Sequence, residues 1–254
     1  ADLVFEVAGE YNPGVPAQLA GDRINSILDL AQVTGVRDIQ PGEATMTNYK
    51  SQRNFLDEIR VTAMSDGGLF FGDNDGTLMY LDRSRISGRQ RLTGFIPFFS
   101  DSCEPDKLPY AAIEMVWNDH EFGNLITISN VSQGQMSPNA VAAYDQDSIT
   151  KYGTVAWRPS QLVICNVEHM QNLANFELIR RREGFYRINR IELYPAHDDR
   201  IWSAMLSMRI GDSFYVERTP PGSTQNVLSA VICDGIEIEG TPDCLLYTSD
   251  AADD

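Results

Sequence analysis

The stretch Gly21-Asp22-Arg23-Ile24-Asn25-Ser26-Ile27-Leu28-Asp29-Leu30-Ala31 opens a run, ending at Arg83, whose reading decides the fold. Ile24, Ile27, Leu28 and Ala31 fall at i, i+3, i+4 and i+7, which is one face of a helix. The spacing predicts a helix over 19–33, with Asp22 near its N-terminus and Gly35 ending it. After a loop with Pro41-Gly42, Ser51 is a fair N-cap for a second helix. Its apolar positions are Phe55, Leu56, Ile59 and Ala63, and Gly67-Gly68 stops it. A hairpin is predicted next, Gly68-Leu69-Phe70-Phe71 and Leu78-Met79-Tyr80-Leu81 around Asp73-Asn74-Asp75-Gly76. The loop residues tolerate the left-handed backbone that a tight reversal needs. Read as a calcium loop with its glycine at Gly76, the run would need its first ligand at Phe71, which has no oxygen to offer.

Working outward, Leu3-Val4-Phe5-Glu6-Val7 is strand-like and precedes a turn-rich Asn12-Pro13-Gly14. Residues 83–110 read as an irregular crossing whose apolar cluster, Phe95 to Phe99, is either a strand or packing between modules. From Ala111 the pattern turns to β. Ile113 to Trp117 and Leu125 to Ile128 flank a polar run, 118–124, of hairpin length. Val141-Ala142-Ala143-Tyr144 and Val155-Ala156-Trp157 bracket the segment from Asp145 to Gly153. Asn166 is a good N-cap for a helix over 167–182 that carries Met170, Leu173 and Phe176 on one side. Strand-like segments follow at 188–193, 214–216, 228–233 and 236–239, the last two split at Asp234-Gly235. The fold class expected is α+β. A helix/hairpin module with an N-terminal strand spans 1–100, and a β-rich, barrel-like module with one main helix, 167–182, spans 101–243.

A net charge of −16 disfavours direct nucleic-acid binding, because neutralising phosphates takes clustered Lys and Arg. It also disfavours anionic membranes. No apolar run approaches the roughly 20 residues of a membrane span. A hydrophobic fraction of 43% with 22% charged residues suits a chain that buries a core. Cys103, Cys165 and Cys233 form neither a CxxC pair nor a disulfide framework, and read as buried or half-buried thiols in a reducing cytoplasm.

Reactive chemistry is sought and not found. His120, His169 and His197 lack zinc spacing. No GxSxG elbow, Walker loop or GxGxxG opening a helix is present. Asp57-Glu58, Asp145/Asp147 and Asp198-Asp199 are carboxylate pairs, but adjacency does not set the separation across a cleft that a glycosidase needs. Trp117, Trp157 and Trp202 could stack on sugars, yet alternation with apolar neighbours favours core packing for Trp117 and Trp157. Arg180, Arg181 and Arg182 end the 167–182 helix, where positive charge complements the helix dipole. No catalytic, cofactor-binding or metal-binding residue is assigned, no cofactor is expected, and the chain is not read as an enzyme.

The last eleven residues, Cys244-Leu245-Leu246-Tyr247-Thr248-Ser249-Asp250-Ala251-Ala252-Asp253-Asp254, reverse-translate to TGT CTC TTA TAC ACA TCT GAC GCT GCC GAC and GA plus one base. That resembles a tagmentation sequencing adapter. Residues 244–254 are therefore expected to be non-native read-through, and the chain a metagenomic fragment with natural residues 1–243.

Several signatures fall in one order along the chain. Gly21-Asp22-Arg23-Ile24 with Ile27-Leu28-Asp29-Leu30-Ala31 is similar to the R-I-x-x-L-L-D-x-A helix of the minor tail proteins of long-tailed bacteriophages. Leu56-Asp57-Glu58-Ile59, Ser65-Asp66-Gly67-Gly68-Leu69-Phe70 and Gly76-Thr77-Leu78-Met79-Tyr80-Leu81-Asp82-Arg83 resemble that family's second helix and hairpin. Asn124-Leu125-Ile126-Thr127-Ile128, Asp147-Ser148-Ile149 with Tyr152-Gly153, and Ile210-Gly211-Asp212 with Phe214-Tyr215-Val216 continue the pattern to about residue 240. The resemblance implies a virion structural protein of the tail, of the hub or tip kind, made in the bacterial host cytoplasm. It implies assembly with other tail proteins and with copies of itself, as rings with three-fold symmetry. It carries no catalytic residue, no nucleic-acid contact and no membrane insertion. Two other readings stand beside it: a carbohydrate- or receptor-binding β module, and a tail-associated cell-wall hydrolase.

Overall fold

The computed structural model describes residues 18–47, 53–87, 96–102, 104–117, 121–132, 135–159, 162–183, 186–220, 222, 226–241 and 244–253. In chain order the elements are β1 (Gln18–Leu19), α1 (Ala20–Leu30), β2 (Arg37–Ile39), β3 (Thr45–Met46), α2 (Phe55–Asp66), β4 (Leu69–Gly72), β5 (Leu78–Leu81), α3 (Arg83–Ser87), β6 (Phe98–Ser100), β7 (Leu108–Pro109), β8 (Ala112–Trp117), β9 (Leu125–Ser132), β10 (Gln135–Tyr144), α4 (Gln146–Tyr152), β11 (Ala156–Trp157), α5 (Val167–Arg181), β12 (Tyr186–Leu193), α6 (Asp199–Ser207), β13 (Ser213–Arg218), β14 (Val227–Thr241) and β15 (Cys244–Asp253). The fold is α+β, as the sequence pattern implies.

Contacts gather the chain into two compact units, Ala1–Arg85 with His120–Glu183 and Ile86–Asp119 with Gly184–Asp254. This grouping differs from a linear division at residues 100 and 101. The helix α5 is the reason. Its buried Met170, Leu173 and Ala174 share one apolar cluster with Ile24, Ile27, Ile59 and Tyr80.

In the first unit, α1 turns Ile24, Ile27 and Leu28 inward, following the predicted face. The helix stops at Ala31, earlier than Gly35, because Gln32 takes a left-handed backbone (φ 55°) and the Val33 amide turns back to the Leu28 carbonyl (3.0 Å). Asn54, not Ser51, caps α2: its side chain accepts from the Asp57 amide, while Ser51 lies outside the described residues. Strand β5 is the middle of a three-stranded sheet, parallel to β2 and antiparallel to β4. All four of its residues are buried, as expected of a strand covered on both faces. The second sheet of this unit has the order β10-β9-β11, with α5 packed on β9 and β10. Asn166 caps α5 by accepting from the Glu168 amide (2.8 Å). Fully burying one Ile or Leu is worth roughly 1.5–3 kcal/mol, so this shared apolar cluster is what holds chain-distant segments in one body.

The second unit is a seven-stranded sheet in the order β7-β6-β13-β14-β15-β12-β8. β6 is parallel to both β13 and β7; the other pairs are antiparallel. The sheet begins at β7 and ends at β8, so the barrel expected for the β-rich part is not formed: no pairing joins these two edges among the described residues. Nor does a sheet of this unit enclose the 167–182 helix, which belongs to the other cluster. The helix α6 contributes Ile201, Ala204 and Met205 to the core with Phe99, Phe214, Val216 and Val231. Of the apolar cluster from Phe95 to Phe99, Phe98 and Phe99 lie in strand β6 with Phe99 wholly buried, and Phe95 lies outside the described residues. Among the described residues, the two strands of the hairpin predicted around 118–124 do not pair with each other. β8 pairs with β12, and β9 pairs with β10 in another sheet. The two segments predicted at 228–233 and 236–239 are one strand, β14, with a register shift between Cys233 and Gly235. β15 lies between β14 and β12 and is antiparallel to both.

Candidate functional site

The most elaborate polar cluster of the first unit is built by the Gly21–Arg83 stretch. Asp66, the last residue of α2, is completely buried. Its Oδ1 accepts hydrogen bonds from the amides of Glu43 (2.9 Å) and Ala44 (2.6 Å), and its Oδ2 accepts from the Tyr80 hydroxyl (2.6 Å). Burial, together with the neighbouring Asp66 carboxylate, pushes the Tyr80 hydroxyl far above the ordinary phenol range, so it stays a donor. The residues around Asp66 are equally committed. Ser65 Oγ donates to the Val61 carbonyl (2.7 Å) and accepts from the Val163 amide (3.0 Å). Gly67 takes the left-handed C-cap conformation (φ 75°). A Cβ on Gly68 would stand 2.5 Å from the Leu81 carbonyl oxygen.

The loop that Asp66 holds is also fixed from its other side. The Gly21 amide donates to the Pro41 carbonyl (2.9 Å), and a Cβ on Gly21 would lie 1.9 Å from the Gln40 carbonyl oxygen. Gln40 Oε1 accepts from the Asp82 amide (2.9 Å), and Asp82 caps α3 by accepting from the Arg85 amide (3.0 Å). The Arg83 guanidinium donates to Glu43 through Nε (3.1 Å) and Nη2, and the buried Arg23 donates to the Thr47 carbonyl (2.7 Å). The motif residues therefore form a joint. α2, the loop 40–44 and β5 meet at one carboxylate, and α1 is tied to that loop through Gly21. The carboxylate's hydrogen bonds reach residues 14 to 23 positions away along the chain, so the arrangement sets geometry.

The second unit has its own shielded carboxylate. Glu217 Oε2 accepts from Lys107 Nζ (2.6 Å) and Ser100 Oγ (2.8 Å), and Oε1 accepts from Asn226 Nδ2 (3.0 Å). These donors, Lys107 first, lower the Glu217 pKa to about 2. Glu217 in turn raises the Lys107 pKa, with Glu104 adding to it (2.9 Å). Neither carboxylate is a site residue by sequence, though Asp66 lies in the Ser65-Asp66-Gly67-Gly68 run. The signal for Asp66 was its place before Gly67-Gly68; nothing in the sequence marks Glu217.

The residues weighed from sequence are dispersed. Asp73–Gly76 is the β4–β5 turn, with the Asp73 amide on the Thr77 carbonyl (2.8 Å) and the Asp73 and Asp75 carboxylates accepting from the amides of Asn74 and Thr77. Among the described residues, no three His, Cys, Asp or Glu side chains gather as a metal site. His169 Nδ1 accepts from the Thr45 amide (3.1 Å), His120 lies outside the described residues, and His197 sits in a 3-10 turn before α6. The carboxylate pairs diverge. Asp57 bonds the cap residue Asn54 (2.7 Å), whereas Glu58 is fully buried with Arg53 (3.3 Å). Asp145 caps α4, and Asp198 caps α6. Trp157 is half-buried beneath the Arg181 guanidinium (4.2 Å to the ring centroid), and Trp202 is half-buried on α6. Trp117 lies on the edge strand β8.

The arginine run is engaged within the chain: Arg180 and Arg181 with Glu177 (3.8 and 2.7 Å), and Arg182 with Asp145 (3.1 Å). Cys233 is buried as expected, but Cys165 is exposed, since it falls in the turn between Ile164 and the cap of α5. Cys103 lies outside the described residues.

Three solved structures share this architecture. The tail protein from Neisseria meningitidis MC58 aligns with a TM-score of 0.59 at 15% identity, over 95% of this chain and 70% of that one. The 43 kDa tail protein of prophage MuSo2 from Shewanella oneidensis aligns at 0.58 and 11%, over 96% of this chain and 67% of that one. The prophage tail protein gp18 from Listeria monocytogenes EGD-e aligns at 0.52 and 11%, over 95% and 68%. The fold is one found in phage tail proteins. At these identities the likeness is one of fold alone. No protein-family model and no curated protein matches the sequence. Among the described residues, no helix is long and apolar enough to cross a membrane.

Proposed function

We propose that this chain is a structural component of a bacteriophage tail, of the minor-tail or hub kind at the tail tip, acting through assembly contacts and not catalysis. The observation that carries the reading is the coincidence of two things. The architecture of tail proteins extends over 95% of the chain, and the motif residues of the Gly21–Arg83 stretch are used up in holding that architecture. The partners proposed are other tail proteins and further copies of the chain, joined as a ring with three-fold symmetry, in the virion tail after synthesis in the host cytoplasm. The two units would then serve as the separate modules of such a subunit. The carboxylate pairs weighed for a hydrolase part company, and the Trp157 ring carries Arg181, which speaks against a sugar platform there. Light scattering on the full chain over a range of concentrations tests the ring. A three-copy particle is expected. A monomer at every concentration would remove the ring and leave the tail assignment to be decided by other means.

We also propose that residues 244–254 are sequencing-adapter read-through, of which residues Cys244–Asp253 form strand β15. Resequencing the gene from genomic DNA, without tagmentation, would return different codons after residue 243. The same codons would end that proposal.

A further inference from the structure

We draw no further inference here: the strongest candidate, the outer edge of strand β8 (Ala112–Trp117) in the seven-stranded sheet, which has six residues without proline or glycine and an exposed Val116, is an unpartnered edge and nothing in the structure shows what covers it.

Discussion

Asp66 in the first unit and Glu217 in the second are both shielded carboxylates accepting three hydrogen bonds, but from different kinds of donor. Asp66 is held by two backbone amides and a phenol, so it fixes the course of the chain itself, joining α2 to the loop 40–44 and to β5. Glu217 is held by an ammonium, a hydroxyl and a side-chain amide, so it ties side chains across neighbouring strands. The first contact is a condition for the fold of its unit. The second adds to a sheet whose strands are already paired through their backbones. Electrostatics differ accordingly, because only Glu217 faces a cation, and only its contribution depends on the charge of its partner.

The largest effect is expected at Asp66. Asp66→Ala leaves two amides and a phenol without acceptors, at roughly 1–3 kcal/mol for each unsatisfied buried group. A loss of about 4 kcal/mol is expected in urea unfolding, with hydrogen exchange rising in α1, α2 and β5 while the β12–β14 strands keep their protection. A loss below about 1 kcal/mol would mean that the joint does not organise the unit. Next comes Gly21→Ala. Its Cβ would press on the Gln40 carbonyl, and overpacking against backbone typically costs about 1–3 kcal/mol. Gly35→Ala, which meets nothing within 4 Å, is the matched control and is expected to be near neutral. Equal effects at the two glycines would contradict the close approach of α1 to the loop.

Glu217→Gln should lower stability by less than the Asp66 change, because it removes one ion pair of Lys107 and leaves the one with Glu104. The pH dependence has a definite sign. Because the folded Glu217 pKa lies near 2 and the ordinary value is 4.5, its contribution is present above pH 4.5 and is lost as pH falls toward 2. Thermal melts between pH 6 and 2.5 should show that loss in the parent protein, and a smaller one in the variant. Parallel curves would show that the pair does not act as described. The smallest expected effect is at Asn54, the cap of α2, where substitution by Ala should cost about 1 kcal/mol.

What could be read from the sequence was what depends on local pattern. The apolar face of α1, the Asn166 cap, the Gly67 stop and the Asp73–Gly76 turn all follow from spacing and backbone preference. What could not be read depends on partners far along the chain. β8 and β9 look like a hairpin because each alternates and a polar run separates them, yet their partners are β12 and β10. The segment 145–153 is polar and its sequence marks no element, but Asp145 caps it as α4 and Ser148 is buried. The burial of Asp66 and Glu217 follows from tertiary contacts: the place of Asp66 before Gly67-Gly68 marks a helix end and not burial, and nothing local marks Glu217. A barrel was a reasonable extension of many short strands, but closure depends on edge pairing, which alternation does not encode.

The tail assignment is tested most directly by the genes that flank this one, read from long genomic sequence. The account predicts neighbours encoding tape-measure and tail-assembly proteins; a setting of metabolic genes would contradict it.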